Sequence, residues 1–403
     1  MQPTIVKTSE AFDFLALVPQ LVGFQPEQSM VLVAFRGNRT CGALRFNLPE
    51  ADAAAKVLRR IATTLIGTLC KIPGVDAVVP VAYTGESFTE ANGIPQERFM
   101  GCLVKRAEMS GFLVRDALCV GADAWGSYLD PHCPASGRSL GFITDSRVHE
   151  PPPPGARGSI GTLASGTELP RVSPAQRERV AREYRRYAGL HAPSGPPAEL
   201  LPVVGEVLDS VDIAEDALTW DTAALHANVV ARLVFVLQGA GNRDQVMLQF
   251  AFGREVGENA RAVNQYYWAL QAVTGRDLDD LVIEQHQRGI SPEAAVIGDL
   301  MLGLTDQRPD PERIERGIAL LKLVVASAPR PTRTAPLCML AWLSWALGRG
   351  SVAAIFIDRA LAIDPSYGMA VLLHRMLSSG LLPDWVYMVP AAGHGDRGEP
   401  GAT

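Results

Sequence analysis

No run in this chain of 403 residues reaches the ~20 consecutive apolar residues that a membrane-spanning helix needs, and the first apolar stretch is broken by Glu10 and Asp13, unlike a secretory signal. The chain also lacks any CxxC pair. Its six cysteines, Cys41, Cys70, Cys102, Cys119, Cys133 and Cys338, sit singly in mostly apolar segments. They read as small buried hydrophobes in a reducing compartment, not as a metal or disulfide framework. Missing too are the GxxxxGK(S/T) phosphate loop, a GxGxxG turn after a strand, the GxSxG nucleophile elbow and the HExxH zinc helix, so no short signature specifies a reaction. A net charge of −6 supplies no whole-protein attraction to nucleic acid or to an anionic membrane. These absences point to a cytoplasmic protein without a membrane partner, metal or cofactor, and they disfavour nucleic acid as a ligand.

What the chain does have is apolar sequence for two cores: 47% of its residues are hydrophobic, and 403 residues exceed the length at which a single core stops growing. Residues 1–150 read as an α/β domain, a mixed sheet with packed helices. Ser9 to Gly23 has the spacing of an amphipathic helix, with Pro19 as a late break. Met30 to Phe35 is a continuous apolar strand and Cys41 to Leu48 alternates, with Gly37-Asn38 as the hairpin turn between them. Pro49 to Asp52 opens a helix that runs to Cys70; Val75 to Tyr83 and Leu113 to Val120 are strand-like, and Gln96 to Ser110 is helical. Pro151 to Pro154, followed by Gly155, Gly158, Gly161 and Gly166, marks 151–170 as a linker or loop, and 389–403 reads as a disordered tail.

Residues 171–388 read as an all-α domain, repeat-like at about 294–380. The clearest part is Leu337 to Leu377. Its first helix places Leu337, Leu340, Ala341, Trp345 and Leu347 on one face and ends at Gly348, after which Ser351 is the expected cap of a second helix. The apolar set of that second helix, Val352 to Ile363, is too wide for a surface stripe, so it is expected to be covered on two sides. Asp364-Pro365 then stops it and starts a third helix carrying Met369, Ala370, Leu373 and Met376. The string ALAIDP has the form of a tetratricopeptide-type second helix, and Pro329 to Pro365 is near the repeat period of roughly 34 residues. A short helical array of this kind needs a further surface to be stable.

Candidate chemistry is thin. A helix follows Ser173-Pro174 and carries Arg177, Arg182, Arg185 and Arg186 among six arginines counted from Arg171; it reads either as a polyanion contact or, more economically, as a solvated face packing through Val180, Tyr184 and Tyr187. Glu206, Asp209, Asp212, Glu215, Asp216 and Asp221 recur at helical spacing, and an exposed acidic face that pairs with the basic helix accounts for them better than a divalent-cation site. Gly239 to Asp244 reads as a helix C-cap followed by an Asn or Asp N-cap rather than a phosphate loop. Asp130, His132 and Cys133 invite a metal reading, but adjacent residues on extended chain point opposite ways and no second ligand pair follows. His226 and His374, on mostly apolar helices, read as satisfied structural histidines.

Taken together, LALVPQLVGFQPEQSMVLVAFRG with RFNLP, GSYLDPHCPASGR, NRDQVML and APLCMLAWLSWALGRGSVAAIFIDRALAIDPSYGMAVLL resemble the bacterial family called domain of unknown function 4192 over nearly the whole chain. The resemblance implies cytoplasmic proteins, known mainly from actinobacteria, with no assigned activity and no catalytic residues to carry over. It singles out Pro19, Gly23, Phe24, Pro26, Ser29, Arg45, Pro49, Arg243, Asp244, Trp342, Asp364 and Pro365, most of them structural in type.

Ser29 and Arg45 are the most open to a functional reading, because both sit where they can meet at one sheet edge and hold an anion. The sequence thus favours a non-enzymatic adaptor or regulatory protein that binds a protein partner through its helical domain. The alternative is a small-molecule or nucleotide sensor, or an enzyme, with its pocket on the N-terminal sheet. A deep pocket at Ser29 and Arg45 would favour the alternative, and an apolar groove over Trp342 to Leu377 the adaptor.

Overall fold

The computed structural model describes residues 10–22, 24–50, 52–146, 161–162, 166–189, 209–222, 225–378 and 381–387. Gly23, Glu206, most of the expected linker 151–170 and the tail 389–403 lie outside the described residues. Contacts divide the chain near Ile160 into two compact units: an N-terminal one that holds the mixed sheet, and one from Gly161 to Val386 that is mainly helical.

The sheet of the first unit is built outward from β2 (Ser29–Arg36), whose first seven residues are all buried. A continuous apolar run suits a strand covered on both faces. β2 pairs antiparallel with β3 (Arg39–Asn47) across the expected Gly37 turn and, on its other side, antiparallel with β4 (Ala77–Tyr83). Beyond β4 come β5 (Leu113–Val114) and β6 (Leu118–Val120), both parallel to it, then β7 (Ala124–Ser127) and β8 (Arg138–Ser139), antiparallel. One face is closed by α1 (Ala11–Val22), whose Leu15 and Val18 pack with Val31, Val33, Val79, Val81 and Trp125. Two other helices, α2 (Ala55–Cys70) and α4 (Glu97–Met109), pack on each other, with α4 also against β4; between them lies the short α3 (Phe88–Ala91). α5 (Gly141–Thr144) lies against α1, and Ser146 just after it donates to Asp13 at 2.6 Å.

Two N-terminal expectations are corrected. The helix expected from Pro49 begins only at Ala55, because Glu50 and Ala53 close a turn instead (Ala53 N to Glu50 O, 3.1 Å). Leu113 to Val120 is two strands, not one, and the cause is Pro80. The carbonyls of Asp76 and Val78 accept from Leu113 and Arg115, so even-numbered residues of β4 face that side; Pro80, next in the row, has no N–H to continue the ladder. Pairing resumes at Val81 with Leu118.

A feature without sequence warning is the enclosure of Phe88, which is fully buried. A Cβ on Gly121, Gly126 or Gly137 would come within 3.1 Å of its ring, so these glycines leave the room the ring fills. Asp123 holds the chain there: its carboxylate accepts from Ser87 Oγ (2.6 Å), Phe88 N (2.8 Å), Thr89 Oγ (2.8 Å) and Thr89 N (3.3 Å). These bonds, the one from the Ser87 hydroxyl first, hold its carboxyl far below the usual carboxylate range.

The helical unit runs α6 (Pro174–Gly189), α7 (Ser210–Thr219), α8 (Ala227–Val236), α9 (Ala240–Phe252), α10 (Arg254–Thr274), α11 (Leu278–Gln287), α12 (Pro292–Leu302), α13 (Pro311–Ser327), α14 (Thr334–Ala346), α15 (Gly350–Leu361) and α16 (Gly368–Ser378). Its centre is α14. All 13 residues of α14 are buried, so the one-faced helix expected here is instead apolar on every side, enclosed by α9, α13, α15 and α16. The covered helix is therefore the first of the three, and α15 has the ordinary buried stripe of Val352, Ala353, Phe356, Ile357 and Ala360. Gly348 supplies the left-handed turn as expected (φ +76°), but Arg349, not Ser351, precedes α15. The Asp364 carboxylate accepts from Ser366 N and Oγ in a turn, which leaves Pro365 ahead of α16 rather than at its start.

The indole N–H groups inside this unit are paired, whereas Arg232 Nε, Gln245 Oε1, Arg313 Nε and Thr334 Oγ1 are buried without a hydrogen-bond partner among the described residues. Trp342 donates its indole N–H to Met301 O, Trp345 to Leu381 O and Trp385 to Ala346 O, at 2.8, 2.8 and 3.0 Å. Glu215 of α7 takes a two-pronged ion pair from Arg313 of α13 and a bond from the buried Gln249 of α9. Three members of the acidic series thus pair with arginines of α10 and α13 (Asp209 with Arg261, Asp212 with Arg254, Glu215 with Arg313) and not with the basic helix. Of the cysteines only Cys119 and Cys338 are buried; Cys41, on the edge strand, and Cys70, at the end of α2, are exposed. His226 and His374 lie on the surface, and His374 Nδ1 is 4.0 Å from the Asp358 carboxylate.

Because the Asp123 carboxyl is held below its unfolded value of ~3.9, its contribution to stability is fully present above about pH 4 and is lost as pH falls toward the folded value. Asp123→Asn should lower the thermal midpoint at pH 7 and flatten the fall in midpoint between about pH 5 and 2. Unchanged acid sensitivity in scanning calorimetry would show that the Ser87–Thr89 bonds do not require the charge.

Candidate functional site

The Ser29–Arg45 corner forms as expected. Ser29 opens β2 opposite Asn47, and Arg45 lies two residues before Asn47 on the same strand. Arg45 Nε donates to Ser29 Oγ (2.6 Å), one terminal nitrogen to Asn47 Oδ1 (2.6 Å) and the other to Glu27 O (3.3 Å), while the Ser29 hydroxyl itself donates to Glu27 O. Ser29 is wholly buried and Arg45 half-buried, and burial draws the guanidinium's pKa below its ordinary value. The fork is used to tie β3 to the turn that precedes β2.

The other residues singled out by the sequence also have structural partners. Asp130 accepts from the His132 amide (2.8 Å) and pairs with Arg138, and among the described residues no three metal-ligating side chains cluster. Gly239 precedes α9 without a side-chain cap; Asn242 and Asp244 lie inside the helix, contrary to the expected Asn or Asp N-cap. Arg243, buried at 7% exposure, donates to Asp244 (2.7 Å) and to the Tyr367 hydroxyl (2.7 Å). Pro19 and Pro26 are buried, and Trp342 belongs to the tryptophan cluster already described.

A cleft lies elsewhere, in the helical unit. Ser173 Oγ accepts from Gln176 N (3.2 Å), which sets Pro174 as the first residue of α6, as expected. Val180 anchors the helix, and Tyr184 and Tyr187 pack on Phe235 of α8, leaving the arginines outward. Glu178 pairs with Arg185 and Glu183 with Arg186, and Arg182 is exposed. Arg177 instead faces the end of α13. There Pro329 stops the helix and a tight turn, Arg330–Arg333, leads into α14, with Thr332 Oγ1 donating to Pro329 O at 2.9 Å.

Between these segments is a cleft of ≈ 450 Å³ lined by Leu169, Pro170, Arg171, Val172, Arg177, Ala326 and Arg333. A second lobe of ≈ 310 Å³ shares Arg177 and Arg333 and extends along Pro174, Glu178, Ala181 and Ser327 to Pro329. Arg333 Nε donates to Ala328 O (2.8 Å) and Arg177 to Val172 O (2.9 Å). Burial first, and then the nearby Arg177 and Arg330 charges, draw the Arg333 pKa below its ordinary value. The sequence showed Arg171 and Arg177 but gave no reason to join them to Arg330 and Arg333, which arrive from a distant turn.

The second surface feature is apolar. Of seventeen large apolar side chains exposed among the described residues, nine fall between Tyr266 and Leu304, on α10, α11, α12 and their ends. α10 packs against both α11 and α12, so these residues belong to one group of helices. At the Trp342 end of the expected groove α14 offers no surface, because it is enclosed and its indoles donate inward. Among the described residues no helix is long and apolar enough to cross a membrane.

Residues 12–278 and 293–384 match the family described as Domain of unknown function (DUF4192). No curated protein and no solved structure matches the chain.

Arg45→Ala removes a fork serving three acceptors at a half-buried corner, and should lower unfolding stability by about 1–3 kcal/mol in urea titration. Arg45→Lys should recover less than half of the loss, because a single ammonium cannot reproduce the planar spread of donors. Full recovery by lysine would show that charge, not the fork, closes the corner.

Proposed function

We propose that this chain, which belongs to the domain of unknown function 4192 family, is a non-enzymatic adaptor or regulatory protein that docks an apolar segment of a protein partner on helices α10 to α12. The observation that carries the reading is the crowding of exposed apolar side chains there. Trp268, Val273, Ile283, Ile290, Val296 and Leu302 are each between 43% and 86% exposed. Scattered exposed hydrophobes need no explanation, but nine of the seventeen exposed among the described residues, on three packed helices and their ends, support a docking face. An amphipathic helix of the partner is the segment that helices of this kind accept most readily. The family match breaks between 278 and 293, inside this face, so part of the contact would be particular to this chain.

The tetratricopeptide-like reading of 294–380 belongs to the same proposal. Successive helices α13, α14, α15 and α16 pack each on the next, which supports a helical array. The array's interior is closed by α14, and the proposed partner face begins upstream of the repeat-like part and includes its first helix, α12.

A photo-crosslinking residue in place of Val273, in cells that produce the protein, should give one predominant adduct with a second protein. Ile283→Asp with Val296→Asp should abolish that adduct while the thermal midpoint stays within a few degrees, since both sites are exposed. No adduct, or an adduct only with another copy of the same chain, would contradict the adaptor reading.

A further inference from the structure

We propose that the cleft between α6 and the turn Arg330–Arg333 is a binding site for the phosphate group of a small organic phosphomonoester, held by Arg171, Arg177 and Arg333. This site is separate from the apolar face of α10 to α12 and does not depend on the adaptor reading.

In a chain of net charge −6, nine arginines of the helical unit, at 185, 186, 243, 254, 261, 276, 288, 313 and 349, form ion pairs with carboxylates, whereas Arg179, Arg182, Arg232, Arg316, Arg359 and Arg375 form none among the described residues. What sets the arginines beside α6 apart is that three of them, Arg171, Arg177 and Arg333, line one cleft. Among the described residues, Arg171, Arg177, Arg330 and Arg333 form no ion pair either. Each guanidinium carries five N–H donors. Arg177 and Arg333 each commit one to a backbone carbonyl, and Arg171 and Arg330 none among the described residues. Like charges brought together on three segments raise each other's free energy; at Arg333 burial first, and then the Arg177 and Arg330 charges, lower the pKa. A bound dianion would relieve that repulsion and fill the unused donors.

A simpler account is that these arginines serve the C-terminal end of α13, where cations are favoured. It explains one bond, Arg333 to Ala328 O. It does not explain Arg177, whose donor goes to Val172, or Arg171, which lines the cleft without a hydrogen bond among the described residues.

The shape selects the class of ligand. Two lobes of ≈ 450 and ≈ 310 Å³ are in the range of small-molecule sites. Leu169, Pro170, Val172 and Ala326 supply an apolar wall beside the guanidinia, suited to the organic part of an ester. A polynucleotide would need a longer cationic surface; along α6, Arg185 and Arg186 are paired with Glu178 and Glu183, which leaves Arg179 and Arg182 as the cations beyond the cleft. The planar donor fork matches phosphate oxygens better than it does a point charge. Glu178, the carboxylate that lines the second lobe, is already engaged by Arg185 at 2.9 Å.

The test is calorimetric titration and thermal unfolding of the full chain in chloride buffer with inorganic phosphate, with phenyl phosphate and with a single-stranded oligonucleotide. Phosphate should raise the unfolding midpoint, and phenyl phosphate should bind more tightly than phosphate by using the apolar wall. Arg171→Gln and Arg177→Gln should each weaken both by about tenfold or more, the effect of losing a charge-assisted contact, whereas Arg185→Gln should not. Arg171 makes no hydrogen bond among the described residues, so its replacement keeps the test valid even if Arg333→Gln disturbs the end of α13. No midpoint shift, or unchanged binding by Arg171→Gln and Arg177→Gln, would overturn the site. Tighter binding of the oligonucleotide, lost equally in Arg185→Gln, would replace the small-molecule ligand with a polyanion.

Discussion

The helical unit depends on one constraint: α14 has no polar face. Every residue from Thr334 to Ala346 is buried, so other elements must surround this helix on all sides. A helix apolar all round cannot lie on a surface. Two of its residues, Trp342 and Trp345, bring polar N–H groups into that interior, and each must find an acceptor or cost the unit stability. The acceptors come from Met301 and Leu381, and Trp385 returns the favour by donating to Ala346 at the helix end. The wrapping elements are thus tied to α14 by directional bonds as well as by packing, with Phe252 meeting Trp342 and Trp385 edge-on.

From this follows where chemistry has room to occur. The interior around α14 is apolar and its two indoles are satisfied, with the Thr334 hydroxyl at its start left without a partner among the described residues, so what the unit can offer lies on its periphery. Around α7 the carboxylates of Asp209, Asp212 and Glu215 meet Arg261, Arg254 and Arg313, which binds helices together and leaves little net charge exposed. At the end of α13 the balance differs, with arginines converging on a cleft. On α10 to α12 the imbalance is of another kind, apolar groups facing water. The first unit shows the same economy: Arg45, placed where an anion could be met, spends its fork on Ser29, Asn47 and Glu27.

Much of the first unit was legible because its signals are local. An uninterrupted apolar run reads as a doubly covered strand, and β2 is one; Gly37-Asn38 reads as a hairpin turn, and the register follows. The meeting of Ser29 and Arg45 could be foreseen since both flank that hairpin. Pro80 was visible too, but its consequence appears only on the neighbouring chain segment, where Leu113 to Val120 breaks in two. In the second unit, periodicity misplaced the covered helix. Leu337, Leu340, Ala341 and Trp345 do share a face, yet Cys338, Met339, Leu343 and Ser344 are equally buried, and burial of the opposite face is decided by what packs there. The arginine cleft was half visible: Arg177 stood out on its helix, but its partners across the cleft are set by tertiary structure. Asp209, Asp212 and Glu215 were assigned the wrong partners for the same reason.

The account's central claim is that α14 is the last element of the helical unit to come apart, and native-state hydrogen exchange measures this directly. Amides of residues 338–346 should exchange only through global unfolding, with opening free energies equal to that of the whole unit, while those of α10 to α12 open locally at lower cost. Exchange in α14 that is faster than in α15 or α16, or that is insensitive to denaturant, would contradict the claim, because a helix enclosed on every side cannot open before the helices that enclose it.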